Sequence, residues 1–404
     1  MDASEYYSRY RDFEWAVELN RFGLKLVGLW PKTNEVAKNN YASDLRVGII
    51  FVIITFVSGI PLICSLVQVW TDMILVIDNL QITLPLMLVS LKLVIIRWKR
   101  TAVLSIVRMM AEDWMAPKID AERDVMVKRA RTARLFVICG YVLMIFAFIT
   151  IIVLPCFGLP FRRLTNLTDR DRPLPLQTYY FYDTDKSPQF ELTLLIQATT
   201  IFLAAVTYTS VDAFLGLVIL HICGQLENFR RRLISLALRK DFNCALRNNV
   251  IAHLRLIRFA DKMENTFALM MLSLVFYFGI VFCLYGFLLL SVVTNAENNV
   301  SFSRVGYVIV GVVTLLAHTF LYCGAGEIIT EQCEAVYRAM CNLEWYRLKP
   351  KEGRTLILLM IRASEPFRIT AGKIFPLTMT TFCSLLKTSA GYVSFLLANR
   401  EIEA

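Results

Sequence analysis

Few residues in this chain could do covalent or metal chemistry, and their spacing does not arrange them for it. Its three histidines, His221, His253 and His318, lie far apart, and its ten cysteines include no Cys-x-x-Cys pair. A metal site has no local frame from such donors, and neither a metal nor another cofactor is expected. His253 and Asp261 are too isolated to build a nucleophile and base, so no catalytic residue is assigned and no enzyme is expected. Charges embedded in apolar stretches carry more information: Asp78, Lys92, Asp212 and Lys387 all stand in such surroundings. Ionisable groups there are costly, and they mark helix-to-helix hydrogen bonds, ion pairs or an ion path. Asp78 and Asp212 are read as capping or bonding a neighbouring helix, and Lys387 as lying near the inner mouth of the helix bundle, facing the cytoplasmic helices or a carboxylate.

The elements that must position these groups are membrane spans. Hydrophobic residues make up 56% of the 404, and the mean hydropathy is +0.54. That is more apolar surface than a water-soluble core can hide. Val47 to Val69, Leu135 to Leu154 and Phe267 to Val293 are the purest apolar runs. Each reaches the roughly 20 residues that cross a bilayer as an α-helix. Met73 to Ile96, Leu192 to Leu220, Val305 to Cys323 and Phe375 to Leu397 are less pure and complete a set of seven. The first 46 residues mix charges of both signs and show no cleavable leader.

Lysine and arginine set the orientation. The segments 1–46, 97–134, 222–266 and 324–374 hold 34 of the 43 basic residues, whereas the alternate segments hold 7. The expected topology therefore has a cytoplasmic N-terminus and an extracellular C-terminus. The sequons Asn166-Leu167-Thr168 and Asn299-Val300-Ser301 both fall in expected external loops, which makes Asn166 and Asn299 the expected glycosylation sites. Nearly all cysteines sit in spans or on the reducing side, so no disulfide frame is expected. The net charge of +10 concentrates on one face of a membrane protein. Anionic membrane lipids explain it better than nucleic acid does.

The basic segments are themselves helical in pattern. Asp120 to Arg134 extends span three, Asn228 to Ile234 extends span four, and Ile251 to Phe267 leads into span five. Residues 327–370 hold two amphipathic stretches, divided at Pro350 and Gly353. Together they make a cytoplasmic layer whose apolar faces need partners.

Several segments, in order, resemble the insect odorant receptor family. They are Gly28-Leu29-Trp30-Pro31, then Asp212 to His221 with Gln225-Leu226, and Glu344-Trp345-Tyr346. Leu356 to Arg362, Ala371-Gly372-Lys373, Phe375-Pro376-Leu377-Thr378, Leu385 to Ser389 and Gly391 to Leu396 follow. The resemblance implies an all-α ligand-gated channel, nonselective among permeant cations, in the plasma membrane of sensory neurons. The subunit would bind a small apolar odorant and join a shared co-receptor in a heterotetramer. The co-receptor is longer in its internal region, so this chain is read as the odorant-tuning subunit. The resulting division is 1–46 as a cytoplasmic segment, 47–323 as six spans with the ligand pocket, 324–374 as cytoplasmic anchor helices and 375–404 as the pore-lining helix with a short external tail.

The last span carries small and polar residues at spacings of three or four: Thr380, Ser384, Lys387 or Thr388, Gly391, Ser394 and Ala398. Such a stripe suits close helix packing as well as a polar lumen. The resemblance implies the lumen, with Tyr392, Ser394, Phe395, Ala398 and Asn399 at the pore and Phe395 as its apolar gate. Ala398 departs from the polar residue of the co-receptor. An odorant pocket is expected between spans two, three, four and six, with Leu86, Tyr141, Met144, Phe148, Tyr208, His318 and Tyr322 as candidate lining, although each suits ordinary core as well. Burying roughly 250 Å² of a volatile at about 25 cal/mol per Å² gains on the order of 6 kcal/mol before ordering costs, which is micromolar binding at best. A gustatory-type channel of the same superfamily is the nearest alternative. A secondary transporter would need internal repeats that the chain does not show, and a G-protein-coupled receptor would need an external N-terminus.

Overall fold

A computed structural model describes residues 3–31, 40–154, 157, 174–236, 241–294 and 302–403; the side chains at 3, 4, 40, 291–294, 302–304, 347 and 395–403 lie outside that description. Helix α1 (Ala3–Val27) ends where Gly28 turns left-handed at φ +87°, and the N–H groups of Gly28 and Leu29 donate to the Lys25 and Leu24 carbonyls at 3.1 and 2.8 Å. Glycine takes that conformation without Cβ strain and satisfies the orphan carbonyls of the last turn. Trp30 then sets its ring edge-on to Phe214, centroids 6.3 Å apart. The Gly28-Leu29-Trp30 motif is thus a helix stop followed by an anchor.

The first span is α2 (Asn40–Val52), a π-helical stretch Ile53–Gly59 and α3 (Ile60–Gln68). Asp72 caps α4 (Met73–Trp98), accepting from the N–H groups of Ile74 and Leu75 at 3.0 and 3.4 Å. Helix α5 (Arg100–Met115) precedes α6 (Asp120–Phe148), which runs on through a π-helical turn, Ile149–Val153. Three long helices follow: α7 (Gln189–Ile234, 46 residues), α8 (Phe242–Thr294, 53 residues) and α9 (Phe302–Cys341, 40 residues). At 1.5 Å per residue α7 is about 70 Å long, more than twice a hydrocarbon core of about 30 Å. Spans four and five therefore continue as rods into the basic layer, as their sequence pattern implies.

Among the described residues six helical segments are long and apolar enough to cross a membrane: Tyr41–Gln68, Met73–Trp98, Asp120–Val153, Gln189–Ile234, Phe242–Leu290 and Val305–Cys341. They match the first six expected spans. The seventh expected span starts later than its sequence suggests. Phe375–Pro376 pairs with Thr370–Ala371 as a two-stranded antiparallel hairpin, β2 on β1, and the last helix, α11, spans Met379–Glu403. The hydroxyl of Thr378 accepts from the Thr381 N–H at 3.4 Å, and Glu327 accepts from the Met379 N–H at 3.1 Å, so the helix starts where these caps are.

The expected break at Pro350 and Gly353 is also revised. The first amphipathic stretch is the distal part of α9, which runs unbroken past residue 323. Pro350 opens α10 (Pro350–Ala363) at a position that needs no N–H, and Gly353 lies buried in that helix's first turns.

Helix α6 lies along α7, α7 contacts α8 and α9, and α11 packs on α8 and α9. Helix α1 lies against α5, α6 and α7, so the N-terminal segment is part of the basic layer rather than a tail. One continuous apolar core joins spans and layer. The most apolar window of Asp120–Val153 is only 11% buried, against 56% in Gln189–Ile234. Lipid must cover the rest of the third span, while the fourth is the axis of the bundle.

Candidate functional site

Four helices converge on a buried charge pair. Lys92 of α4 has no exposed side-chain surface, and its Nζ donates to Asp212 Oδ1 of α7 at 2.5 Å. The ammonium lies 3.5 Å from the ring centroid of Tyr208, one turn before Asp212 on α7, and donates to the Tyr322 hydroxyl of α9 at 3.5 Å. Tyr208 meets His318 of α9 edge-on at 5.9 Å, and Tyr322 tilts against Phe278 of α8 at the same distance. A bare ammonium in a membrane bundle would be prohibitive. A carboxylate, an aromatic face and a hydroxyl replace its water. The second carboxylate oxygen, Asp212 Oδ2, is buried without a hydrogen-bond partner.

Three of the expected pocket residues, Tyr208, His318 and Tyr322, thus stand together. The described contacts of the others lie elsewhere along the same helices. Tyr141 shares a 2.9 Å hydrogen bond with Ser210 where α6 meets α7. Phe148 meets Phe202 edge-on at 5.8 Å, and Phe202 is 40% exposed, so this pair lies at the outer surface of α6 and α7. Leu86 is buried in the main core and Met144 packs against it. Asp212 bonds a neighbouring helix, in line with its sequence reading. Its partner Lys92, 120 positions away, has no local pattern to announce it.

A second polar network seals the far end of the bundle, and residue spacing gave no sign of it. The segment 174–182 inserts beside α3, α4 and α7. Asn79 donates to the Leu62 and Gln177 carbonyls, both at 3.2 Å. Gln197 accepts from the Leu176 N–H at 3.0 Å and donates to Thr178 at 2.9 Å, and the buried hydroxyls of Ser58 and Thr200 pair at 2.8 Å. Buried glutamine, asparagine and threonine in apolar helices were the available signal.

The basic layer is held by charge. Arg232 grips Glu122 through two hydrogen bonds of 2.6 and 2.7 Å. Asp113 accepts from Arg255 Nε at 2.7 Å and lies 3.0 Å from His221 Nε2. Burial alone would raise the Asp113 carboxyl, but His221 and Arg255 outweigh it and hold the group below the usual carboxylate range. A cavity of about 210 Å³ lies beside these groups, with Lys118, Gln225, Arg232 and Arg255 in its walls. Burial pushes the Lys118 ammonium down to about 8. No cluster of three or more His, Cys, Asp or Glu side chains fit for a metal occurs among the described residues.

On α11, Ser389 and Val393 are buried, and Val393 lies against Gly286 of α8. The opposite face is open: Thr380, Ser384, Lys387, Thr388, Gly391, Tyr392 and Ser394 are all exposed. Within this subunit the small, polar stripe is therefore not a packing seam. The side chains of Phe395, Ala398 and Asn399 lie outside the described residues, as do Asn166 and Asn299.

A family model, 7tm Odorant receptor, matches residues 72–390. The chain belongs to the insect odorant receptor family. Odorant receptor 13a of Drosophila melanogaster is 23% identical over 56% of this chain and 58% of its own length. Odorant receptor 10 of Aedes albopictus is 23% identical over 53% and 57%. The chain thus spans a little over half the length of these relatives. The fold agrees with the insect olfactory receptor OR5 from Machilis hrabei at a TM-score of 0.80 and 16% identity, covering 95% of this chain and 97% of that one. The same receptor in complex with eugenol gives 0.80 at 15% identity, covering 98% and 99%. This odorant receptor is a multi-pass membrane protein of a receptor family and not an enzyme.

Proposed function

We propose that this odorant receptor is the tuning subunit of an odorant-gated, nonselective cation channel in the plasma membrane of sensory neurons, assembled with the family's shared co-receptor as a heterotetramer. The observation that carries this reading is the open stripe of α11. Thr380, Ser384, Lys387, Thr388, Gly391 and Ser394 share the exposed face of a helix that belongs among membrane spans. Hydroxyls and an ammonium are poorly placed against lipid, so that face needs a water-filled lumen or a neighbouring subunit. A ring of subunits supplies both. Tyr392, Ser394, Phe395, Ala398 and Asn399 then lie at the pore, with Phe395 as the dewetting gate.

The odorant site lies between α4, α6, α7 and α9, lined among others by Leu86, Tyr141, Met144, Phe148, Tyr208, His318 and Tyr322. The eugenol complex of the Machilis receptor supports a small, mostly apolar ligand. The N-terminus is cytoplasmic, the basic layer with residues 324–374 is the anchor, and residues 375–404 are the pore helix and external tail. Whole-cell current in cells expressing this chain with and without the co-receptor, under a panel of volatile alcohols, esters, phenols and cuticular hydrocarbons, tests the reading. Rapid cation current only from the pair is expected. Its absence with both chains at the surface and every panel compound applied would overturn the channel reading and favour a transporter.

A further inference from the structure

A ligand site and a pore helix need a physical connection, and Tyr322 stands between the two. Its hydroxyl accepts from Lys92, which also rests on the Tyr208 ring and pairs with Asp212. On its other side Tyr322 joins Thr319, Phe278, Leu377 and Leu385 around a cavity of about 10 Å³. Leu377 closes the β1–β2 hairpin, donating its N–H to the Ile369 carbonyl at 2.8 Å, and Leu385 is in the second turn of α11. A side chain that bonds the buried charge pair and lines one cavity with the root of the last helix is placed to carry a displacement from one to the other.

We propose that Lys92 and Asp212 are positioning residues that couple the odorant site to the last helix through Tyr322. The inference rests on the channel reading above. Asp212 offers the pair a second arrangement, because Oδ1 holds the ammonium while Oδ2 is buried without a partner. Transfer of Lys92 from one oxygen to the other keeps the charges paired and changes the contact of its ammonium with the Tyr322 hydroxyl. An odorant that shifts Tyr208 or His318 changes the aromatic support of the ammonium and so biases the choice between the two states.

The test uses the full receptor with its co-receptor and the strongest agonist from the volatile panel. Three quantities are read: surface density, agonist EC50, and unliganded current as a fraction of maximal current. Tyr322→Phe removes only the hydroxyl. The double variant Lys92→Met with Asp212→Leu replaces the charge pair by apolar groups and leaves no lone buried charge. Both are expected to move the unliganded fraction by about fivefold or more, in the range of ordinary coupling energies, whereas a shift of EC50 alone, which a lost ligand contact would also give, would overturn the proposal. A merely structural role would lower maximal current in step with surface density and leave both quantities unchanged, which would overturn the proposal. If the double variant fails to reach the surface, Tyr322→Phe decides alone, since loss of one hydroxyl leaves the helices packed. Absence of current from the wild-type pair would overturn the channel reading and this proposal together, whereas wild-type current with unaltered gating in the variants overturns the proposal alone.

Discussion

A lysine without exposed surface inside a membrane bundle is stable only if every proton of its ammonium has somewhere to point. Lys92 meets that condition with a carboxylate oxygen, a phenol oxygen and an aromatic face. The single variant Lys92→Met strands the Asp212 carboxylate and is expected to destabilise the receptor by about 3 kcal/mol or more. Thermal unfolding in detergent would show it as a clear fall in midpoint, absent in the double variant with Asp212→Leu. In the basic layer, Asp113 joins Arg255 and His221. Its folded-state pKa is depressed, so its stabilising contribution is fully present above the ordinary carboxylate value and is lost only as pH falls through the lower folded value. Asp113→Asn should therefore lower the unfolding midpoint at pH 7, and the difference from wild type should shrink only below about pH 4. A difference that vanished between pH 5 and 7 would contradict this assignment.

At the scale of elements, the β1–β2 hairpin sets where the last helix begins. Gly372 holds φ +63°, donates its N–H to the Ala268 carbonyl at 2.8 Å, and stands so close to Leu272 that an added Cβ would lie 2.7 Å from its Cδ2. Gly372→Ala is expected to cost about 1–3 kcal/mol through backbone strain and this overlap. The readout is a lower surface level of the assembled channel, while Gly391→Ala, whose Cβ would meet no neighbour, should leave that level unchanged. The hairpin also shows where sequence reading stops. Phe375-Pro376-Leu377-Thr378 reads as the apolar start of a span, and a two-residue strand has too few positions to show a period of two. Pro350 likewise reads as a break, although proline at a helix's first position is a start. Long elements were legible because their period repeats many times, as in the 46 residues of α7. Tyr208, His318 and Tyr322 were legible as aromatic and imidazole groups in apolar helices. Lys92 as the partner of Asp212 was not, because a contact across 120 positions leaves no local trace.

At the scale of the whole molecule, charge and hydropathy divide the receptor into an apolar bundle and a basic helical layer joined by the unbroken rods α7, α8 and α9. The proposed topology, which rests on the positive-inside count, has that layer in the cytoplasm. An N-terminal epitope tag is then expected to bind antibody only after permeabilisation. Asn166→Gln and Asn299→Gln should each remove glycosidase-sensitive mass, and an N-terminal tag accessible on intact cells would invert the topology. The third span and the polar face of α11 are the surfaces this chain leaves most open, and in the proposed assembly lipid and neighbouring subunits cover them.

Cysteine accessibility during evoked current distinguishes a last helix whose exposed face lines an odorant-gated pore from one that does not. Ser384, Thr388, Gly391 and Ser394 are replaced one at a time by cysteine, with buried Val393 as the control, and a charged thiol reagent is applied while the channel with its co-receptor is held open by odorant. Rapid, irreversible change of current is expected at the four exposed positions and none at Val393→Cys. Modification that alters current only at Val393→Cys, or at none of the five in a channel that conducts, would contradict a pore-lining last helix.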